Sequence, residues 1–329
     1  MNLKPTRQAK KANRLARLQA ELQSSKKLET ANAPKIGLKP CDSRLKWHVP
    51  ETVTHQYGND KSGTVEYRFN LRGYRSEDYR RDARFRICII GESHAIGTGI
   101  HFADTFGFKL KTMMAGVLKL KLEEVNLINL SIGGSSADYC ARTIYRQLPI
   151  LPTDFVVCIV PLPDRIEYRN EEGYNTLVVG SVDVNHLDKM PPSLVGYCEY
   201  YDDAVGRLNR VKNMLLIQSY LRLHDIEYVM AVEKLPQPGD GFDALDPFLE
   251  QLDGDRTLRH EFFMQKADRA ADGSHAGPRS HAAFAIKVFH QFGRLLKSRD
   301  MADLADLVET EANRLMVEDD DYQFCTAGS

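Results

Sequence analysis

Short apolar runs separated by long helical stretches constrain this chain more than any other feature. "FRICIIG" (85–91) is β-branched and nearly continuous in its apolar residues. A strand covered on both faces reads this way, whereas a half-exposed strand alternates. "EVNLINLSI" (124–132), "DFVVCIVPL" (154–162) and "IEYVMAVE" (226–233) read as three further strands. Helices are expected over 104–120, where Asp104 and Thr105 can cap the start, over 135–148, capped near Ser136, and over 202–224. A final long helix is expected over 277–298, with Pro278 in its first turn, and a shorter one over 302–316. Parallel neighbouring strands need crossovers of this length. The pattern therefore predicts an α/β domain, a three-layer α/β/α sandwich with a mostly parallel sheet.

The 329 residues suit one large domain with appendages, or two small ones. Four segments are expected: a basic arm (1–40), helical or disordered; a strand and turn lead-in (41–82); the α/β domain (83–299); and a C-terminal helix with an acidic tail (300–329). A hairpin is expected within "YNTLVVGSVDV" (174–184). The net charge of −1 gives no global excess for nucleic acid or a membrane surface. The arm is locally basic, with Lys4, Arg7, Lys10, Lys11, Arg14, Arg17, Lys26 and Lys27 against Glu21 alone. It reads as a solvated helix or assembly arm able to contact a partner, in preference to a mitochondrial-type presequence. No secretory h-region and no run of about 18 apolar residues is present, so a cytoplasmic protein without a membrane span is expected. The six cysteines form no C-x-x-C pair, and neither a disulfide framework nor a zinc site is expected.

In an open parallel sheet, ligands bind at the carboxyl ends of the strands. Gly91-Glu92-Ser93, Gly133-Gly134 and "PLPDR" (161–165) all fall at such ends. A serine hydroxyl becomes a nucleophile only when a neighbour accepts its proton. "ADGSHAG" (271–277) supplies a candidate base, His275, with Asp272 three residues earlier. In a tight turn that spacing brings the carboxylate beside one imidazole nitrogen and leaves the far nitrogen for Ser93. An oxyanion also needs fixed donors. The Ser93 backbone N–H is one candidate, and Gly134, or Gly133 beside it, is another. Arg165, the nearest strong donor after the third strand, is a third candidate, for an oxyanion or a substrate carboxylate; alternatively it pairs with Asp164 or Glu167.

These blocks resemble the SGNH (GDSL-type) hydrolase superfamily, over roughly residues 85–298. The resemblance rests on Gly91-Glu92-Ser93 after the first strand, on the glycines of "NLSIGGSSAD" after the second, and on Asp272-Gly-Ser-His275 before the last helix. "EYRFNLRGYRSEDY" (66–79) also resembles a lead-in found in many members. The resemblance implies a flavodoxin-like sheet and a serine esterase acting without a cofactor through Ser93, His275 and Asp272. Its substrate would be a small acyl ester, such as an O-acetyl group on a carbohydrate. Two departures stand out. Glu92 replaces the usual aspartate, and the third block lacks the asparagine that donates to the oxyanion. An O-acyltransferase using the same residues, and a non-catalytic binding or structural member, are the rival readings. His94, His101 and His281 are expected as loop or structural histidines, with His94 able to line the pocket. No metal site is expected. "GESHAIGTGI" is neither the dinucleotide G-x-G-x-x-G nor the G-x-S-x-G elbow.

Overall fold

The computed structural model describes residues 51–57, 63–170, 173–179, 192–233, 235, 245–259, 267–297 and 302–318. The chain divides into units of residues 1–39 and 40–329, and every described residue belongs to the second. The expectations for the basic arm and the acidic tail lie outside the described residues.

Strands β1 (Glu51–Tyr57) and β2 (Gly63–Phe69) pair antiparallel ahead of the main sheet. The main sheet is parallel throughout. It contains β3 (Phe85–Ile90), β4 (Val125–Asn129) and β5 (Phe155–Val160), while β6 (Arg165–Asn170) and β7 (Gly173–Val178) form a separate hairpin. With β8 (Glu227–Val232) and β9 (Thr257–Arg259), the sheet order is β4-β3-β5-β8-β9. Counting only these five strands, the order is 2-1-3-4-5, the doubly wound arrangement. Its crevice opens where the winding reverses, between β3 and β5.

The helices are α1 (Ser93–Ile96), α2 (Phe106–Val117), α3 (Ala137–Gln147), α4 (Pro192–Tyr200), α5 (Asp203–Leu223), α6 (Asp246–Leu249), α7 (Pro278–Lys297) and α8 (Ala302–Glu318). Side chains alternate between two cores, as the strand period requires. Ile87, Ile89, Val157, Ile159 and Val229 pack with residues of α2, α7 and α8. Cys88, Ile90, Val156, Cys158 and Met230 pack with residues of α3 and α5. Burial on both faces explains why these strands lack polar alternation.

The lead-in guards the sheet edge at β4. Leu127 N donates to Glu77 Oε2 at 3.0 Å, Asn129 N to Ser76 Oγ at 2.8 Å, and Arg80 N to Asn126 Oδ1 at 2.9 Å. Side chains thus occupy ladder positions that would otherwise invite another strand.

The hairpin starts earlier than the sequence expectation. It pairs Arg165–Asn170 with Gly173–Val178, and residues 180–184 lie outside the described residues. The reason is visible on "RIEYRN". Glu167 N donates to Asp138 Oδ2 at 3.2 Å, and the Glu167 carboxylate binds Arg142, which stacks over the Tyr174 ring. Helix α3 therefore holds the segment as a strand, and Arg165 begins that strand instead of lying in a loop.

Candidate active site

Ser93 stands at the mouth of the crevice. Gly91 follows β3 where a Cβ would lie 2.9 Å from the Ile159 carbonyl oxygen, so only glycine lets the turn pass this close to β5. Glu92 caps α1, accepting from His94 N at 3.1 Å, and Ser93 is the first helical residue. Gly97, at φ 78°, ends the turn. Buried Arg75 fixes the backbone beyond, donating to the carbonyls of Ile96, Gly97 and Ile100 at 3.2, 2.5 and 2.7 Å. Its guanidinium also stacks on Tyr67, 3.9 Å from the ring centroid, and the Tyr67 hydroxyl accepts from Gly99 N at 2.6 Å.

The second loop carries Asp272 and His275. Asp272 Oδ1 accepts from Ser274 N at 3.1 Å and from His275 N at 3.0 Å, and Oδ2 binds His275 Nδ1. Burial raises the pKa of this carboxyl. The hydrogen bonds from His275 and Ser274, with the His275 charge, outweigh it and hold the group at about 2. An ionised carboxylate on Nδ1 fixes the proton there and leaves Nε2 as the acceptor. Gly99 joins this loop to the Ser93 turn. Its carbonyl accepts from Ala271 N at 2.9 Å, and at φ 79° its missing Cβ would lie 2.8 Å from that of Ala270. The His275 ring accordingly leans on His94, with centroids 4.8 Å apart.

The structure thus brings Ser93, Asp272 and His275 to one rim, but the serine hydroxyl is directed elsewhere. Ser93 Oγ donates to Glu92 Oε2 at 2.6 Å, and no Ser93–His275 hydrogen bond is made among the described residues. Glu92 is buried, which pushes its pKa up. Donation by His94, the His94 charge, donation by Ser93 and the Arg165 charge together bring it down to about 2. Such a group is too weak a base to take the serine proton at neutral pH.

The candidate oxyanion donors gather around Ser93. The N–H groups of Ser93, Gly133 and Gly134 donate to no group among the described residues. Ser135 Oγ and Ile132 N both donate to the Gly91 carbonyl, at 2.8 and 3.2 Å, and bring this loop against the Ser93 turn. Gly133 is the glycine beside Ser93; a Cβ on it would lie 3.9 Å from Ser93 Cβ. Gly134 turns the loop at φ 70°. Arg165 Nη1 lies 3.5 Å from both Glu92 Oε2 and the Ser135 carbonyl, and Nε lies 4.0 Å from Asp164 Oδ1. Its Nη2 makes no hydrogen bond among the described residues.

Sequence reasoning did not find the roles of Glu92, Arg75 and Tyr67. The last two lie in the lead-in segment "EYRFNLRGYRSEDY" (66–79), whose sequence does not say what they touch. Among the described residues, no group of three or more His, Cys, Asp or Glu side chains converges as a metal site would.

No protein-family model matches this chain, and no curated protein matches it. Solved structures do. One is a lipase from a goat rumen metagenome, 16% identical, with a TM-score of 0.39 over 63% of this chain and 97% of that one. Another is a psychrotrophic esterase from Pseudoalteromonas sp., 12% identical, with a TM-score of 0.40 over 64% and 98%. A third is an acetyl xylan esterase, 13% identical, with a TM-score of 0.39 over 62% and 98%.

Proposed function

We propose that the chain is a serine esterase acting on a small acyl ester. The observation that carries this reading is the Asp272–His275 pair, with its imidazole leaning over the turn that presents Ser93. On substrate binding, Ser93 Oγ exchanges Glu92 for His275 and attacks the acyl carbonyl. The hydroxyl proton passes to His275 Nε2, and Asp272 stabilises the imidazolium. The carbonyl oxygen becomes an oxyanion, held by the N–H groups of Ser93 and of Gly133 or Gly134 and by the Arg165 guanidinium. Collapse breaks the ester C–O bond, and His275 returns its proton to the departing alcohol. Water then attacks the acyl-enzyme by the reverse sequence and releases the acid.

An acetylated carbohydrate offers hydroxyls that the Arg165 guanidinium can bind, and transfer to a sugar hydroxyl in place of water uses the same residues. Product analysis with and without a sugar acceptor separates hydrolysis from transfer. One observation favours a non-catalytic relative instead, namely the hydroxyl bonded to Glu92. A fluorophosphonate probe decides between them. Covalent labelling of the wild type, lost in Ser93→Ala, is expected; a folded wild type that stays unlabelled rules the esterase out.

A further inference from the structure

Ser93 and Arg165 meet on one oxygen atom. Glu92 Oε2 accepts from Ser93 Oγ at 2.6 Å and lies 3.5 Å from Arg165 Nη1. The other oxygen, Oε1, is occupied by His94 N and Nδ1, at 3.1 and 3.2 Å. The carboxylate is buried, so these four donors are its surroundings. An ionised carboxylate only accepts hydrogen bonds, which fixes the direction of the short contact: the serine proton points at Glu92. The same atom faces a guanidinium whose other carboxylate neighbour, Asp164, is 4.0 Å from Nε. Arg165 is partly exposed, its side chain 17% accessible, and the nearby carboxylate charge helps to hold its guanidinium at this place.

We infer that Glu92 is a positioning residue that holds the resting Ser93 hydroxyl and the Arg165 guanidinium on one oxygen, so that when Ser93 turns to His275 the charged Glu92 keeps Arg165 in place to meet the oxyanion. The inference rests on the esterase reading above. Glu92 gives and takes no proton in the reaction. Its work is geometric, with one oxygen anchored through His94 and the other shared between attacking group and oxyanion donor. The two departures from the related motif, a glutamate before the serine and an arginine after the third strand, then form one unit.

A double-mutant cycle tests this. Glu92→Gln keeps the shape and an acceptor oxygen but removes the charge; Arg165→Asn removes the cation. The readouts are the rate of Ser93 labelling by a fluorophosphonate probe, kcat and KM on p-nitrophenyl acetate, and thermal melting as a check of fold. Each single variant should lose about 10-fold or more in labelling rate and kcat with KM little changed, as for a contact made in the transition state. The double variant should fall within about 3-fold of the worse single, because two residues acting as one unit are lost only once. Losses that multiply, or a Glu92→Gln protein that labels like the wild type, overturn the coupling while leaving the esterase reading intact. A folded wild type that never labels overturns both. If Glu92→Gln does not fold, the cycle is run with Glu92→Ala, which also removes the charge, and the same non-additivity is expected.

Discussion

Two loops at the rim carry the same chemical pair in different surroundings. On the turn that carries Ser93, Glu92 binds His94 Nδ1; on the loop before α7, Asp272 binds His275 Nδ1. Both carboxyls are held at about 2. The difference is access. The Glu92 and His94 side chains are 2% and 9% exposed, against 13% and 23% for Asp272 and His275. A buried pair saturated with donors is a scaffold. A partly open pair with a free imidazole nitrogen can carry a proton to a substrate. On the proposed esterase reading, identical functional groups take different roles through burial, and their neighbouring rings lie where scaffold would meet chemistry.

The largest expected effect breaks the symmetry between the two histidines. His275→Ala should lower kcat by about 10⁴- to 10⁶-fold, the scale seen when a triad base is removed. His94→Ala should lower it far less, by about 10- to 100-fold, because it loosens Glu92 without removing the base. Steady-state kinetics on a small chromogenic ester measures both. Equal losses in two folded variants would mean that His94 also handles protons. Asp272→Asn follows, with about a 10⁴-fold loss of kcat and the fold retained, since the amide allows the wrong imidazole tautomer.

Arg165 sharpens the contrast from the scaffold side. Arg165→Ala should reduce turnover on a neutral ester by roughly 10- to 1,000-fold, up to the scale of one lost oxyanion donor. Arg165→Lys should recover part of this, because an ammonium lacks the planar fork. A rise in KM alone would make Arg165 a ligand for an anionic part of the substrate. On stability instead of rate, Arg75→Ala is expected to cost about 3 kcal/mol in denaturant unfolding, because three carbonyls around the turn lose a charged donor.

What could be read from the sequence follows the same divide. The sheet was legible because β3, β4, β5 and β8 are buried on both faces, and such strands announce themselves by continuous apolar residues. Asp272 and His275 were legible because a three-residue spacing in a turn is a local geometric fact. The Ser93–Glu92 contact was not legible. It depends on one side chain curling back to its neighbour, and no periodicity encodes that. Arg75 and Tyr67 reach the turn across 21 to 32 residues of chain, so only the folded contact reveals their work. The hairpin was misplaced because its strand is fixed by contacts with α3, while "YNTLVVG" looks more like a strand on its own.

A third histidine lies behind both pairs and supplies the smallest effect. His281 is buried and stacked on Phe106, and its Nδ1 accepts from Phe106 N at 3.1 Å. The proton of the neutral ring therefore sits on Nε2. Burial first, and then the charges of His94, Arg75, Lys109 and His275, push its pKa well below the usual value. A base whose folded pKa is depressed contributes stability that is complete above about pH 6.5 and declines as the pH falls, because only the unfolded chain takes up the proton. The slope contributed by one such group approaches about 1.4 kcal/mol per pH unit. Glu92 and Asp272 act in a lower window. Their contributions are complete above the ordinary carboxyl values and are lost as the pH falls through about 2. Unfolding measured between pH 7 and 5 therefore separates histidine titration from that of the two carboxylates, and comparison with a His281 variant assigns the part due to His281. His281→Asn keeps an acceptor for Phe106 N and cannot charge. It should be less stable than the wild type at pH 8, by about 1 kcal/mol for the lost ring packing. It should also lose less stability on acidification to pH 5. A slope matching the wild type would show that His281 does not carry the acid sensitivity.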